Sequence, residues 1–231
     1  MKAFLLAAGL GTRLLPLTNE IPKCIVPIND KPLLGHWFDL LFKSNEIESI
    51  LVNTHYLPEK VERFIQTSPY RKKIQTVFEN ELLGTAGSLL KNREFFNDGP
   101  FFFVHADNFS IFDPGDFIQA HHLRPKGCDM TMMTFKTDMP EDCGILELDR
   151  KNVVTAFHEK VINPPGNLAN GAVYILEQSI LPFLKKIGKK KIDFSTEVLP
   201  HFIGKIYTFH NDQYHRDIGT MESYLKAQDK R

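Results

Sequence analysis

Gly9-Leu10-Gly11-Thr12-Arg13, with Pro22-Lys23 shortly after it, is the part of this chain whose residue types and spacing are best suited to chemistry. An apolar run, Phe4-Leu5-Leu6-Ala7-Ala8, empties into it, so a strand feeds a glycine loop that carries two fixed cations. Glycine lets backbone approach a ligand and adopt positive φ, and successive exposed N–H groups form a concavity for anions. Arg13 offers a planar fork that grips phosphoryl oxygens, and Lys23 offers a compact charge that can neutralise a developing one. The set points to a nucleoside triphosphate that is attacked at phosphorus and not merely held. A dinucleotide loop would need a third glycine where Leu14 stands. A Walker loop would need Gly-Lys-Ser/Thr, which does not follow.

Phosphoryl chemistry also calls for a hard cation. Phe101-Phe102-Phe103-Val104-His105-Ala106-Asp107 reads as a buried strand ending in a carboxylate, and Asp107 is placed to hold Mg²⁺. Mg²⁺ takes one or two carboxylates plus phosphate oxygens and water, and Asp217, in His215-Arg216-Asp217-Ile218-Gly219-Thr220, supplies the second acid. Taken singly, either aspartate also suits a turn or a helix cap. The repeated His-x-Asp spacing at 105/107 and 215/217 would place each pair on one face of a strand, as a transition-metal site needs. No other residue demands such a metal, so His105, His215, His121 and His122 read as packing residues.

These residues need a scaffold, and the chain alternates apolar and amphipathic stretches. Ile50 to Val52 precedes Pro58 to Gln66, Ile74 to Phe78 precedes Gly84 to Arg93, and Phe101 to Val104 follows. Such alternation predicts βαβ units and an α/β fold, an open and mainly parallel sheet covered by helices. Asp30-Lys31-Pro32 predicts the opening of a helix whose apolar face includes Leu33, Leu34, Trp37, Phe38, Leu40 and Leu41, with Trp37 in the core. From Met130 the pattern becomes strand-rich, through Met130 to Phe135, Ile145 to Leu148, Val153 to Phe157 and Ala172 to Ile175. No linker or repeat divides the chain, which predicts a single domain over 1–231 with two sub-regions, 1–125 and 126–231.

Bulk properties restrict the partners. The 231 residues suffice to bury about 70% of the unfolded surface without a staple. Twenty-eight basic residues balance 28 acidic ones, so no overall positive field draws the chain to nucleic acid or to acidic membranes. The lysines at 185, 186, 189, 190 and 191 read as a solvated helix end and loop. Cys24, Cys128 and Cys143 are odd in number and widely spaced, which fits reduced thiols in a cytoplasmic protein. The first apolar run is too short to span a membrane and lacks the form of a secretory signal.

The ordered set of Gly9-Leu10-Gly11-Thr12-Arg13, Pro22-Lys23, Gly84-Thr85-Ala86-Gly87, Asp107, Cys143-Gly144-Ile145, Phe157-His158-Glu159-Lys160, Asn170-Gly171-Ala172-Val173-Tyr174 and Asp217-Ile218-Gly219-Thr220 resembles the sugar-1-phosphate nucleotidylyltransferases. The Glu-Lys and Asn-Gly-Ala-Val-Tyr segments are most like those of mannose-1-phosphate or heptose-1-phosphate guanylyltransferases. The resemblance implies a Rossmann-like mixed, mainly parallel sheet of the nucleotide-diphospho-sugar transferase type, with 1–125 as the nucleotide-binding sub-region and 126–231 as the sugar-binding one. It implies nucleotide binding by Ala8, Gly9, Gly11, Thr12, Arg13, Lys23, Gly84 and Thr85, with Arg13 and Lys23 catalytic. Asp107 and Asp217 would hold Mg²⁺, while Gly144, Glu159, Lys160 and Asn170 would receive the sugar phosphate. The implied partners are a nucleoside triphosphate, GTP on the resemblance, and a sugar 1-phosphate, in a monomer or homodimer that serves glycan or lipopolysaccharide assembly.

The chain departs from the family's wording in three places. Ala8 and Ala106 stand where glycine is common, and His215-Arg216 precedes Asp217 where an aromatic residue often stands two places before it. The sequence runs only a few residues past Tyr224-Leu225, which predicts no left-handed β-helix. The competing readings are a glucose-1-phosphate uridylyl- or thymidylyltransferase, a cytidylyltransferase of a non-sugar phosphate, and a non-catalytic sugar-nucleotide-binding module.

Overall fold

A computed structural model describes residues 1–230. The chain forms two compact units, one of residues 1–82, 103–114 and 214–231, the other of 83–102 and 115–213. The expected sub-regions are contiguous halves, whereas these units interleave.

The first unit is built on parallel strands. Lys2–Leu6 pairs in parallel with Ser49–Thr54, which pairs in parallel with Ile74–Phe78. Ala3, Phe4 and Leu5 are fully buried, as a continuous apolar strand in a covered parallel sheet requires. Helix Leu33–Phe42 buries Leu33, Leu34, Trp37, Phe38 and Leu41, the spacing of one helical face, while Leu40, at the edge of that face, is only half-buried. Trp37 is a core residue, and its indole N–H donates to the carbonyl of Asn108 at 2.8 Å. Helix Pro58–Thr67 follows the second strand and buries Val61 and Ile65.

Asp30 does not open the first helix. Asn29 and Asp30 have φ of 48° and 63° and form the turn between two short paired strands, Pro27–Ile28 and Lys31–Pro32. Two successive positive-φ residues suit the right-handed twist of such a hairpin, and Asn and Asp tolerate that conformation. The helix therefore begins after Pro32, without a side-chain cap.

The second unit is mixed and mostly antiparallel. Strand Leu168–Leu176 pairs antiparallel with Met130–Lys136 and with Gly144–Leu148, which pairs antiparallel with Val154–Glu159. Ile206–His210 joins Met130–Lys136 in parallel. Phe135, Ile145 and Ala169 pack together where these strands meet. Helices Thr85–Lys91, Pro114–His122 and Ile180–Ile187 complete the mixed α/β architecture.

Candidate active site

The glycine loop begins where its strand stops. Ala7 N–H donates to Asn53 Oδ1 at 2.7 Å, and Asn53 Nδ2 donates to Glu79 Oε1 at 3.0 Å. Both side chains are 1% exposed, so a buried polar pair at the ends of the neighbouring strands fixes the point of exit. Ala8 is buried behind the loop, while no atom stands within 4 Å of a Cβ built at Gly9. Gly11 adopts φ +67°, and a Cβ there would stand 3.0 Å from Lys23 Cβ and from Thr18 Cγ2. Glycine is thus needed both for the turn and for packing on Lys23. Thr12 and Arg13 lie exposed at the start of a short 3₁₀ turn, Thr12–Leu14, whose Leu14 is buried with Val26, Ile28, Leu33, Phe109 and Ile218.

The two aspartates are set by one ribbon. Asn108–Ile111 pairs antiparallel with Tyr214–Asp217, with Asn108 opposite Asp217. Asp107 immediately precedes the ribbon, and its carbonyl accepts from Ile218 N–H at 3.1 Å. Ser110 stands opposite His215, and its Oγ lies 2.6 Å from His215 Nδ1. Burial keeps His215 neutral, its pKa pushed down to about 3 against the pull of Asp107. Its Nδ1 is thereby used within the ribbon, a packing role.

Lys23 reaches between the aspartates. Its Nζ is 2.7 Å from Asp107 Oδ2 and 3.4 Å from Asp217 Oδ1, while its side chain is only 7% exposed. Burial opposes its charge, but the two carboxylates outweigh that effect and raise its pKa above the usual lysine value. Asp107 is held below the ordinary carboxylate range, because Lys23 and then His105 together overcome burial. Asp217 lies above that range through burial and the charge of Asp107, against the pull of Lys23 and Arg13. Arg13 Nη2 stands 3.9 Å from Asp217 Oδ2. A Cβ at Gly219 would lie 2.5 Å from Asp217 Oδ2 and 2.9 Å from Arg13 Nη2, so glycine permits that approach.

Two carboxylates that share one cation at hydrogen-bonding range offer the hard oxygen donors Mg²⁺ prefers. Among the described residues no group of three or more His, Cys, Asp or Glu is arranged to hold a metal. A cation here would complete its shell from phosphate oxygens and water.

The second unit holds the remaining expected residues. A Cβ at Gly144 would meet Glu159 Oε2 at 2.6 Å and the Phe157 ring at 2.5 Å, so Glu159 lies directly over that glycine. Burial, opposed by Lys160 and reinforced by Asp193, raises the Glu159 carboxyl above its usual range. Lys160 is exposed, at φ 50°, with its N–H donating to Cys143 carbonyl at 3.2 Å. Asn170 Nδ2 donates to Tyr174 OH at 2.7 Å, and Asn170 Oδ1 accepts from Ala172 N–H at 2.9 Å. Tyr174 is fully buried, and burial raises its pKa so that it stays a neutral phenol.

Gly84 and Thr85 engage the segment around Ile192. A Cβ at Gly84 would stand 2.5 Å from Ile192 carbonyl oxygen, and Ala86 and Gly87 N–H both donate to that oxygen at 3.0 and 3.1 Å. The Thr85 hydroxyl donates to Asp193 Oδ2 at 3.2 Å and accepts from Phe194 N–H at 2.7 Å. Asn53, Glu79, Tyr174 and Asp193 are absent from the sequence-derived site. Asp193 carried a legible sign, because Asp is a favoured residue at the position just before a helix.

The chain is similar to known proteins over nearly its whole length. The chain is 32% identical over 233 residues to "Probable mannose-1-phosphate guanylyltransferase 1" of Oryza sativa subsp. japonica, covering 97% of this chain and 63% of that protein. It is 30% identical over 235 residues to the mannose-1-phosphate guanylyltransferase catalytic subunit beta of Dictyostelium discoideum, covering 98% and 63%. The chain thus spans less than two thirds of the length of these relatives. Among solved structures, HddC from Yersinia pseudotuberculosis, complexed with GMP-PN, superposes with a TM-score of 0.81 at 28% identity, covering 99% of this chain and 98% of that one. Its likeness supports the mixed sheet of a nucleotide-diphospho-sugar transferase. The family model described as nucleotidyl transferase matches residues 2–231, the whole span that carries the glycine loop, the bridging lysine and the paired aspartates, and the chain belongs to that family.

Proposed function

We propose that this chain transfers a nucleoside monophosphate from a nucleoside triphosphate, GTP, to a sugar 1-phosphate of the mannose or heptose type. The products are a nucleotide-sugar and pyrophosphate. The observation that carries this reading is Lys23, buried and fastened between Asp107 and Asp217 beneath Gly11. A cation so placed acts on a charge that develops nearby, and it has no evident use in a module that only binds.

The mechanism needs no protein nucleophile. A phosphomonoester has a second pKa of about 6, so the sugar phosphate is mostly a dianion at neutral pH and its oxygen can attack the α-phosphorus unaided. That O–P bond forms as the bond from the α-phosphorus to the pyrophosphate oxygen breaks, and the electron pair leaves with pyrophosphate. Gly9, Gly11 and Thr12 present backbone to the triphosphate, with Ala8 packed behind them. Arg13 grips phosphoryl oxygens, and Lys23 stabilises the charge that builds at the α-phosphate. Asp107 and Asp217 would hold Mg²⁺, which supplies Lewis-acid stabilisation and alignment of phosphate oxygens.

Gly84 and Thr85 are assigned to the base and ribose, and their packing on Ile192 and Asp193 makes them rigid. Glu159 accepts sugar hydroxyl hydrogens over Gly144, Asn170 offers its remaining amide hydrogen, and Lys160 neutralises the sugar phosphate. No described helix is long and apolar enough to cross a membrane. We place the reaction in the cytoplasm, in a monomer or homodimer, feeding polysaccharide or lipopolysaccharide assembly.

A pyrophosphate-release assay tests this reading by pairing each of four nucleoside triphosphates with a panel of sugar 1-phosphates, with and without Mg²⁺. The expected result is Mg²⁺-dependent release with GTP and a mannose- or heptose-type phosphate. Tight nucleotide binding with no release from any pair would overturn it.

A further inference from the structure

Gly11 lies in the left-handed region at φ 67° and ψ 24°, and a glycine turns there with little steric resistance. That freedom is a liability for the peptide between Gly11 and Thr12. A trans peptide points its carbonyl and its N–H in opposite directions, so one orientation offers the loop's ligand an N–H and the flipped one offers it an oxygen. An anion is bound by the first and repelled by the second.

The loop is held in the first orientation. The Gly11 carbonyl accepts from Leu14 N–H at 2.9 Å and from the Thr18 hydroxyl at 2.8 Å, which uses both of its lone pairs. The Thr12 N–H therefore points the other way, and it makes no hydrogen bond to any described residue. The bond from Leu14 only closes a local 3₁₀ turn, whereas the one from Thr18 reaches back across seven positions. Thr18 is 1% exposed, and its Cγ2 packs under Gly11, 3.0 Å from where a Cβ would stand. Its short turn, Leu17–Asn19, is itself anchored: the Tyr56 hydroxyl donates to Asn19 carbonyl at 2.8 Å, and Lys60 Nζ donates to that of Glu20.

We propose that Thr18 is a positioning residue for the triphosphate: its buried hydroxyl holds the Gly11 carbonyl inward and so aims the Thr12 N–H at a phosphoryl oxygen. The inference rests on the nucleotide reading above and adds a residue that touches no substrate. Two roles are thereby divided. Glycine at position 11 lets the loop turn tightly over Lys23, and Thr18 takes away the freedom to flip that glycine brings with it.

Thr18→Val keeps the branched shape without the hydroxyl, Thr18→Ala loses both, and Thr18→Ser keeps the hydroxyl without the methyl. Initial rates are measured against the nucleoside triphosphate that the wild-type enzyme turns over and against the sugar 1-phosphate. The Thr12 amide is followed by NMR of labelled protein titrated with the same triphosphate. Thr18→Val and Thr18→Ala are expected to raise the triphosphate KM about tenfold or more, the scale of one hydrogen bond to a charged group, with the sugar-phosphate KM unmoved. Thr18→Ser should stay within about threefold of wild type. The Thr12 amide proton should move downfield on binding in wild type and Thr18→Ser, and not in the other two. Variants that all match a working wild-type enzyme overturn the role of Thr18 alone. So does a Thr18→Val enzyme that matches wild type while Thr18→Ser and Thr18→Ala fall together, since packing by the methyl would then set the loop. Equal rises in both KM values, or a loss of kcat with neither KM moved, mark a merely structural residue and overturn it too. Wild-type protein that binds no nucleoside triphosphate overturns the nucleotide reading and the role of Thr18 with it.

Discussion

Lys23 Nζ donates to Asp107 Oδ2 at 2.7 Å across 84 positions of sequence, and the same nitrogen lies 3.4 Å from Asp217. The lysine is therefore the group that neutralises the two carboxylates, and in the proposed reaction it is also the charge that acts on the α-phosphate. Lys23→Ala is expected to lower kcat by about a thousandfold or more, the scale seen when one donor to transition-state charge is removed. Its circular dichroism should match wild type. Turnover within a few-fold of wild type would show that Lys23 does not act on the α-phosphate.

Gly219 makes a second test of the same cluster. Its φ is outside the left-handed region, so an alanine is acceptable to the backbone, yet its Cβ would press on Asp217 Oδ2 and Arg13 Nη2. Gly219→Ala should displace those two groups with little loss of stability. The expected outcome is weaker Mg²⁺ binding in calorimetry and a fall in kcat/KM of about 10- to 100-fold. Unchanged metal affinity would mean that Asp217 is no ligand.

On the sugar side, the counterpart is Gly144, whose Cβ would lie 2.6 Å from Glu159 Oε2 and 2.5 Å from the Phe157 ring. Gly144→Ala must push Glu159 from its place. The sugar 1-phosphate KM is expected to rise about tenfold or more, while the triphosphate KM holds, because the acceptor carboxylate is misplaced by a fraction of an ångström or more. Equal changes in both KM values would argue for a general disturbance of the unit.

The parallel strands and the first helix face were legible because their signals are local: a buried apolar run, a 3.6-residue stripe and the short segments between them. The aspartate pair was legible only as two separate acids. What joins them is the register of Asn108–Ile111 with Tyr214–Asp217, and no local pattern specifies a pairing that distant. The Asn53–Glu79 pair that fixes the loop's exit has the same character, since polar residues in apolar strands announce burial without naming partners. Asp30 misled because Asp and Pro before an apolar stripe suit a helix start, whereas Asn29-Asp30 equally suits a tight hairpin, and the hairpin won. Thr85 was assigned to a ligand from its motif, but its hydroxyl also organises the helix that carries Asp193.

His121 predicts how stability depends on pH. It is fully buried, its Nδ1 lies 2.8 Å from Thr131 Oγ1, and burial, aided by Arg124 and His122, lowers its pKa from 6.5 to about 3. Glu177 Oε1 stands 3.3 Å from Nε2, but Arg124 already binds that carboxylate and limits what it can offer an imidazolium. Since the folded pKa lies below the unfolded one, the unfolded chain binds the extra proton between pH 6.5 and 3, and stability falls as pH falls through that window. Above pH 6.5 the contribution is complete. Each pH unit is worth about 1.4 kcal/mol for one proton, so the loss from pH 6.5 to 5 should be about 2 kcal/mol from this residue. Urea denaturation of wild type and His121→Gln at pH 7.5 and 5 measures it: the variant should start less stable and lose less on acidification. Equal losses in the two proteins would show that His121 does not stay neutral in the fold.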